Sequence, residues 1–586
     1  MPARKVYLET FGCQMNELDS ELVAGQLRAL GYQFVNDADD AGVVLYNTCS
    51  VRELAEQKVW SRLGELKARK KADPALVVGV LGCMAERDGT DLIKRMPVVD
   101  VLCGPGELDK LPSLLDNAVR TRLSLLDDER TAAGTSSRPA SQQSASQVAL
   151  QGSSSRRSAT LAAAQDTLEL LDLSRAISPV DAASAGETAD GDTASRPRTA
   201  YVRITRGCNK FCTYCVVPFT RGAEVHRPPQ HIIDECKRLA DAGVIEITLL
   251  GQTVNHYRFE HGAAVTLNGL TQPQKGRTYA GGHSRDPFAG ENVTTFADLL
   301  RRIHDEVPSI QRLRFVTSYP RDFGDDVLEV MRHHPRICRY IHAPVQSGSD
   351  RMLKMMNRGY TVGEYIEFVD RVRSHLHQPE VGRPVMISSD FIVGFPTETE
   401  EDFEATCRLV EQCRFKNSFI FKYSARPGTV AFDKLADDVP EGDKRRRNNT
   451  LLDIQNGVTA SVGRDQVGTT VDVLVEGLSQ REMKKSGLTQ GDIRSRGLVA
   501  ITVGGRDTGL GASCGTGCGC VPPSDAEHVA DANVQLVSRT DTDLIVFFDA
   551  SRSHAQSLVG TVQKVRITAA DGVGLQGNHV PASTIF

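Results

Sequence analysis

The chain has 586 residues, a hydrophobic fraction of 40% and a formal net charge of -5. That length supports two or three domains with their own cores, and without a global basic field any nucleic-acid contact must come from local lysines and arginines. No apolar run reaches the length of a membrane span, the N-terminus lacks a signal-like apolar core, and 14 mostly scattered cysteines suit a reducing cytoplasm rather than a disulfide framework.

Residues 1–120 alternate strand-like runs (Lys5–Phe11, Val43–Tyr46, Leu76–Leu81) with helical patterns. One helical pattern starts near Asp19 and carries Leu22, Leu27 and Leu30; another runs from Arg52 through Val59, Leu63 and Leu66. Such alternation predicts an open α/β domain with a parallel sheet. Residues 127–197 contain no aromatic side chain and are rich in Ser, Ala and Thr. A segment of that composition buries too little apolar surface to offset its ordering entropy. It is expected to be a mostly disordered linker, with Leu168–Leu173 as one short ordered piece.

Across residues 198–464 the alternation resumes, with six strand candidates: Tyr201–Thr205, Ile245–Leu250, Arg312–Val316, Arg339–Pro344, Val385–Val393 and Ser418–Tyr423. Six βα units predict a partial (β/α)6 barrel with function at the carboxyl ends of its strands. A polar, Gly-rich stretch at about 258–292 reads as an insertion. After a helix near Asp443–Gln455, residues 467–586 show four short strand runs: Thr470–Val475, Val534–Val537, Asp543–Phe548 and Val562–Thr568. They predict a small β barrel, interrupted by a second insertion at about 479–532. The expected fold is therefore α/β with a small β barrel at its C-terminus.

The strongest chemical signal is Arg206-Gly-Cys208-Asn-Lys-Phe-Cys212-Thr-Tyr-Cys215. A C-x3-C-x2-C loop directly after a strand can wrap three thiolates around one 4Fe-4S cubane and leave one iron open. The alternatives are three structural thiols or a zinc site short of a ligand. A second set, Cys13, Cys49 and Cys83, follows three predicted strands of the first domain. In a parallel sheet those strand ends share one edge, so these three thiols could converge too; buried structural cysteines are the alternative.

The first of these motifs resembles the signature of the radical S-adenosylmethionine superfamily. That likeness implies an open iron chelating the methionine part of S-adenosylmethionine, reductive cleavage to a 5′-deoxyadenosyl radical, and Tyr214 near the adenine. Almost the whole chain outside the linker and insertions is similar to the methylthiotransferase family of that superfamily. The likeness is carried by Phe11-Gly-Cys-Gln-Met-Asn16, Asp19-Ser-Glu21, Asn47-Thr-Cys-Ser-Val-Arg-Glu53, Gly82-Cys-Met-Ala-Glu-Arg87 and Gly207–Gly222. Thr470–Gly477 and Asp543–Phe548 look like pieces of the family's RNA-binding TRAM barrel.

Gln14 stands where the threonylcarbamoyladenosine branch shows lysine and the ribosomal-protein branch shows Pro-Lys-Asn. The resemblance thus implies methylthiolation of carbon 2 of N6-dimethylallyladenosine at position 37 of tRNA, in the anticodon loop. It further implies two 4Fe-4S clusters, one on each cysteine set, two molecules of S-adenosylmethionine, outside donors of electrons and sulfur, and a cytoplasmic, monomeric enzyme. The rival readings are the other two branches and, from a different class, a two-cluster electron-transfer or scaffold protein. Gln252-Thr-Val-Asn255 and His226-Arg-Pro228 depart from the usual family pattern without removing a cysteine.

Gln252, Asn255, Gln346, Ser389, Asp390 and Gly394 fall at or near strand carboxyl ends and are candidate contacts to S-adenosylmethionine or substrate; ordinary loop structure at a barrel rim is the alternative. Arg426 could pair with a carboxylate or a phosphate. The run Lys444-Arg-Arg-Arg447 reads as a solvated helix face in preference to an RNA contact. Cys514, Cys518 and Cys520 read as structural thiols or an incidental zinc site, and Cys103, Cys236, Cys338, Cys407 and Cys413 as structural.

Overall fold

The run Val43-Val-Leu-Tyr-Asn-Thr48 is buried at every position, as is Val77–Gly82, which is the pattern of parallel strands covered on both faces. A computed structural model describes residues 4–50, 53–131, 146–150, 166–177, 198–276, 292–485, 533–572 and 574–581. In the first domain β1 (Lys5–Phe11), β2 (Gln33–Phe34), β3 (Val43–Thr48), β4 (Val77–Gly82), β5 (Val101–Cys103) and β6 (Gln147–Ala149) form one parallel sheet, in the order β2-β1-β3-β4-β5-β6. Val43 and Leu45 pack with Leu18, Leu22 and Leu27 of α1 (Gln14–Ala29). The alternate residues Val44 and Tyr46 pack with Val59, Leu63 and Leu66 of α2 (Glu53–Ala72) on the other face. Strand periodicity alone assigns the two layers.

Three stretches of the expected linker are described, 127–131, 146–150 and 166–177; the first two are ordered where none was expected, and the rest of the linker lies outside the described residues. Gln147–Ala149 adds a sixth strand by parallel pairing with β5; three residues hold too little pattern to be read as a strand. Helix α3 (Cys83–Asp88) follows β4, and α4 (Leu111–Thr131) runs past the predicted domain end. The short ordered piece expected at Leu168–Leu173 is α5 (Thr167–Leu173). Its carboxylates are buried against arginines of the next domain: Asp172 pairs with Arg203 at 2.7 Å and Glu169 with Arg227 at 2.9 Å. Glu169 also meets His231 at 3.0 Å. Arg175, just beyond α5, bridges Glu21 of the first domain and Glu235 of the second. An apolarity scan cannot see such ion pairs.

The second domain carries the six expected parallel strands: β7 (Thr199–Arg203), β8 (Glu246–Leu250), β9 (Arg312–Phe315), β10 (Tyr340–His342), β11 (Met386–Val393) and β12 (Asn417–Lys422). They form two three-stranded halves, β7-β8-β9 and β10-β11-β12, joined through a parallel bridge between Leu313 and Ile337. This is a partial barrel, and its helices pack on one large apolar core. The expected insertion at 258–292 is tied into the fold where it is described. Arg258–Glu260 pairs with Val293–Thr295, and Gln274–Lys275 pairs with Val225–His226.

The C-terminal domain is a closed five-stranded barrel of β13 (Thr470–Leu478), β14 (Asn533–Thr540), β15 (Ile545–Ser551), β16 (Val562–Asp571) and β17 (Gly574–Val580), in the order β13-β14-β15-β17-β16. The last strand, Gly-Leu-Gln-Gly-Asn-His-Val, lacks apolar alternation and was not expected; it pairs with β15 and β16 and closes the ring. The barrel seats on the amino ends of the β7–β12 strands. Arg312 and Arg314 of β9 donate to the carbonyls of Asp472, Arg539, Thr540 and Asp541, and Lys416, just before β12, is ion-paired with Asp543. Among the described residues no helix is long and apolar enough to cross a membrane. Cys514, Cys518 and Cys520 lie outside the described residues.

Candidate active site

The three first-domain cysteines sit on one edge because their strands are in register. Phe11 of β1 aligns with Thr48 of β3, and Thr48 with Gly82 of β4; Cys13, Cys49 and Cys83 follow within two residues. Cys13 is the N-cap of α1 and Cys83 the first residue of α3. A buried amide lattice fixes the edge: Asn16 donates to Asn47 Oδ1 at 3.1 Å, and Asn47 donates to the Asn16 carbonyl and to Ser20, each at 2.9 Å. Gly82 has φ of +86°, and a Cβ there would lie 2.4 Å from Asn47 Oδ1. Only glycine serves at that position. Burial pushes the Cys83 thiol up, and the charge of Arg221 opposes it.

The C-x3-C-x2-C loop leaves the carboxyl end of β7. Gly207 has φ of +70°, and a Cβ there would lie 2.1 Å from the Ala223 carbonyl, so the entry to the loop also requires glycine. The Lys210 amide donates to Cys208 Sγ at 3.5 Å, and Arg358 Nη1 donates to Cys212 Sγ at 3.5 Å. Burial, with Glu224 nearby, pushes the Cys208 thiol up to about 11. Burial and the neighbouring Cys212 and Cys208 push Cys215 well above the ordinary thiol range. Three thiols grouped on one loop, Cys212 buried and Cys208 and Cys215 half-buried, suit a shared cationic centre, which would stabilise all three as thiolates.

The two cysteine sets are neighbours. Helix α6 (Val217–Thr220) begins two residues after Cys215 and packs against α3, whose first residue is Cys83. Arg221 then pairs with Asp19 of α1 at 2.8 Å, and Asp19 also meets Arg203 of β7 at 3.2 Å.

Family models place the same two units. "Uncharacterized protein family UPF0004" matches residues 5–104 and "Radical SAM superfamily" matches residues 202–410. The tRNA-2-methylthio-N(6)-dimethylallyladenosine synthase of Rhodopirellula baltica is 40% identical over 481 residues, covering 82% of this chain and 85% of that protein. The protein of the same name from Bordetella petrii is 40% identical over 486 residues, covering 82% of each. The chain belongs to the tRNA-2-methylthio-N(6)-dimethylallyladenosine synthase family. Among solved structures, the radical S-adenosylmethionine methyltransferase TsrM from Kitasatospora setae, with cobalamin and a [4Fe-4S] cluster bound, aligns at 14% identity with a TM-score of 0.41, over 73% of this chain and 77% of that one.

In this member of the family the remaining candidates divide by what already holds them. Gln252 keeps a buried Oε1 with no hydrogen-bond partner, and Asp390 a buried Oδ1 that lies 3.4 Å from His342 Nε2; both have capacity for a ligand. Tyr214 packs beside Met352, Met356 and Phe395 and accepts from Arg358 at 3.4 Å. Gln346 is buried, with φ of +82°, bridged to Phe391. Asn255 exchanges two hydrogen bonds with the Tyr319 backbone. Ser389 donates to the Ala343 carbonyl and accepts from the Val345 amide. Gly394 lies where a Cβ would meet Lys444 at 2.3 Å. These last three build the wall rather than offer groups to its interior.

Arg426 pairs with Glu56 of α2 at 2.9 Å, a second clasp between the domains. Lys444 and Arg447 of the basic run are buried in ion pairs with Asp437 and Glu398. Sequence reasoning did not single out Arg358 or Arg221. The latter sits inside the quoted Gly207–Gly222 motif; Arg358 had no signal, because its partner Cys212 is 146 residues away.

Proposed function

We propose that this chain methylthiolates carbon 2 of N6-dimethylallyladenosine at position 37 of tRNA, with one 4Fe-4S cluster on Cys208, Cys212 and Cys215 and a second on Cys13, Cys49 and Cys83. The observation that carries the reading is the four-residue helix α6, which starts just after Cys215 and packs against α3, whose first residue is Cys83. A helix of four residues rises only about 6 Å, so the two thiol sets face one reaction space. When bound, the two clusters and S-adenosylmethionine supply the radical and the methylated sulfur.

The chain's own residues hold and orient. The Lys210 amide and Arg358 hydrogen-bond thiolate sulfurs. Gln252 and Asp390 offer buried oxygens to the amine and hydroxyl groups of S-adenosylmethionine, and Tyr214 lies where its adenine would stack. The Asp19–Arg203–Arg221 clasp keeps the first domain against the barrel, which excludes water from the space between them. The C-terminal barrel serves as a TRAM module and grips the RNA, while the target base, unstacked in a single-stranded loop, enters the pocket. Electron and sulfur donors come from outside the chain, the enzyme acts as a monomer, and a tRNA substrate places it in the cytoplasm.

The test is anaerobic loading of the full chain followed by mass spectrometry of tRNA nucleosides. Replacing Cys208, Cys212 and Cys215 with Ala should leave one cluster and abolish 5′-deoxyadenosine. Replacing Cys13, Cys49 and Cys83 should leave 5′-deoxyadenosine formation and stop thiolation. Two clusters in either triple variant would refute the ligand assignment.

A further inference from the structure

Three cations stand beside the two cysteine sets, and two of them have carboxylate partners. Arg221, near Cys83, pairs with Asp19. Lys210, beside Cys208, pairs with Asp322. Arg358 is different. It is 6% exposed, and among the described residues no carboxylate pairs with it. Its Nη1 donates to Cys212 Sγ at 3.5 Å and to the Tyr214 hydroxyl at 3.4 Å, and its Nε donates to the Tyr360 hydroxyl at 3.0 Å. The remaining nitrogen reaches the Pro344 carbonyl. The guanidinium also lies 5.0 Å from the Tyr319 ring centre and 5.3 Å from that of Tyr360.

A buried guanidinium stays charged and is costly without a counter-charge. Phenol hydroxyls, one carbonyl and aromatic faces supply dipoles but no net negative charge. The anion within reach is sulfur. Three thiolates on one cluster would carry the charge that this cation lacks.

We infer that Arg358 is a positioning residue for electron entry: its charge and its N–H···S bond to Cys212 stabilise the reduced form of the cluster on Cys208, Cys212 and Cys215. This rests on the ligand assignment proposed above. The step is a one-electron transfer from a low-potential reductant to the oxidised cluster, with no bond broken and no proton moved at Arg358. The added electron makes the cluster more negative, so a fixed cation 3.5 Å from a ligand sulfur favours the reduced state. Hydrogen bonds to sulfur and net charge are the protein's controls on such potentials. The tyrosines around the guanidinium exclude water, which would otherwise screen that charge.

The experiment is a redox titration of the anaerobically loaded full-length chain, followed by electron paramagnetic resonance. The signal that changes on adding S-adenosylmethionine identifies the cluster in question. In R358Q the cluster should load, and its reduced-to-oxidised ratio at a fixed ambient potential should fall about tenfold, equivalent to about 59 mV for one electron. R358K, which keeps the charge, should lie within about threefold of the wild type. Wild-type potentials in both variants would overturn the inference.

If R358Q folds poorly or fails to load, R358K decides. A loaded cluster of near-wild-type potential supports the role. A protein with wild-type circular dichroism but no cluster overturns it, because the charge would be in place. C212A is run in parallel and must lose the cluster. If it does not, the ligand assignment is at fault rather than the role of Arg358.

Discussion

Asp19→Asn should loosen the first domain from the barrel while leaving each domain folded. The carboxylate of Asp19 lies between two guanidiniums, 3.2 Å from Arg203 and 2.8 Å from Arg221, with all three side chains at most 7% exposed. Arg203 retains Asp172 at 2.7 Å, but among the described residues Arg221 has no second carboxylate. Removing one partner of a buried pair costs about 3–5 kcal/mol. At 1.4 kcal/mol per factor of ten, the docked state should lose roughly two to three and a half orders of magnitude in population. The metal-free chain should show the full loss, because neutral thiols give Arg221 no alternative anion.

Hydrogen exchange resolved along the chain is the assay. Amides of α1, α3 and α6 should lose protection together, while β3 and β4, in the sheet interior, should not. The double variant D19N/R221M should recover most of the loss, since removing both members of a buried pair is close to neutral. A single-variant effect below about 1 kcal/mol, or a double variant as loose as D19N, would refute the clasp.

Acid should release α5 before it unfolds the domains. Burial pushes Glu169 up, but Arg227 and His231 more than offset it and hold the carboxyl at about 2, against an ordinary 4.5. A depressed acid contributes stability above its unfolded value and loses it as pH falls through the folded one, so pepsin should cut around Thr167–Leu173 progressively from about pH 4.5 down to 2; flat susceptibility across that window would argue against it. Asp543→Ala leaves Lys416 buried without its carboxylate and should cost the C-terminal barrel about 3–5 kcal/mol of docking; small-angle scattering should show expansion, and an unchanged profile would contradict the docking role. Thiolation should depend on the dimethylallyl group, since burying five carbons at about 0.8 kcal/mol each contributes roughly 3–4 kcal/mol, or two to three orders of magnitude in rate. Equal rates on tRNA with and without the group, or a preference for threonylcarbamoyl-bearing tRNA, would refute that dependence.

Much of this was legible in the sequence. Strand periodicity and the position of Cys13, Cys49 and Cys83 directly after strands were enough to bring the three to one sheet edge, because parallel register leaves little freedom. The six βα units of the second domain were likewise visible as apolar runs of strand length. What stayed hidden depends on contacts between distant residues. Arg358 is an ordinary arginine until the fold sets it beside Cys212. Asn255, Ser389 and Gly394 sit where a rim contact belongs, yet the backbone of their own domain, or Lys444, takes them up; position along a strand does not say which way a polar group is already committed. The strand Gly574–Val580 is held by pairing with both neighbours, not by its own apolar content, and α5 is held by charge.

The seating of the C-terminal barrel turns the enzyme into a caliper. It meets the amino ends of the strands, through Arg312, Arg314 and Lys416, whereas the cysteines of the radical loop lie beyond the carboxyl end of β7. A strand such as Met386–Val393, of 8 residues, spans about 26 Å at 3.3 Å per residue. On the proposed reading, an RNA held by the barrel and modified at the cysteine loop must follow the flank of the protein over that length. Its own shape, set by how far a rigid stem lies from a splayed base, would then decide whether the base arrives, and a stem shortened by one turn would miss the pocket with every nucleotide of the loop unchanged.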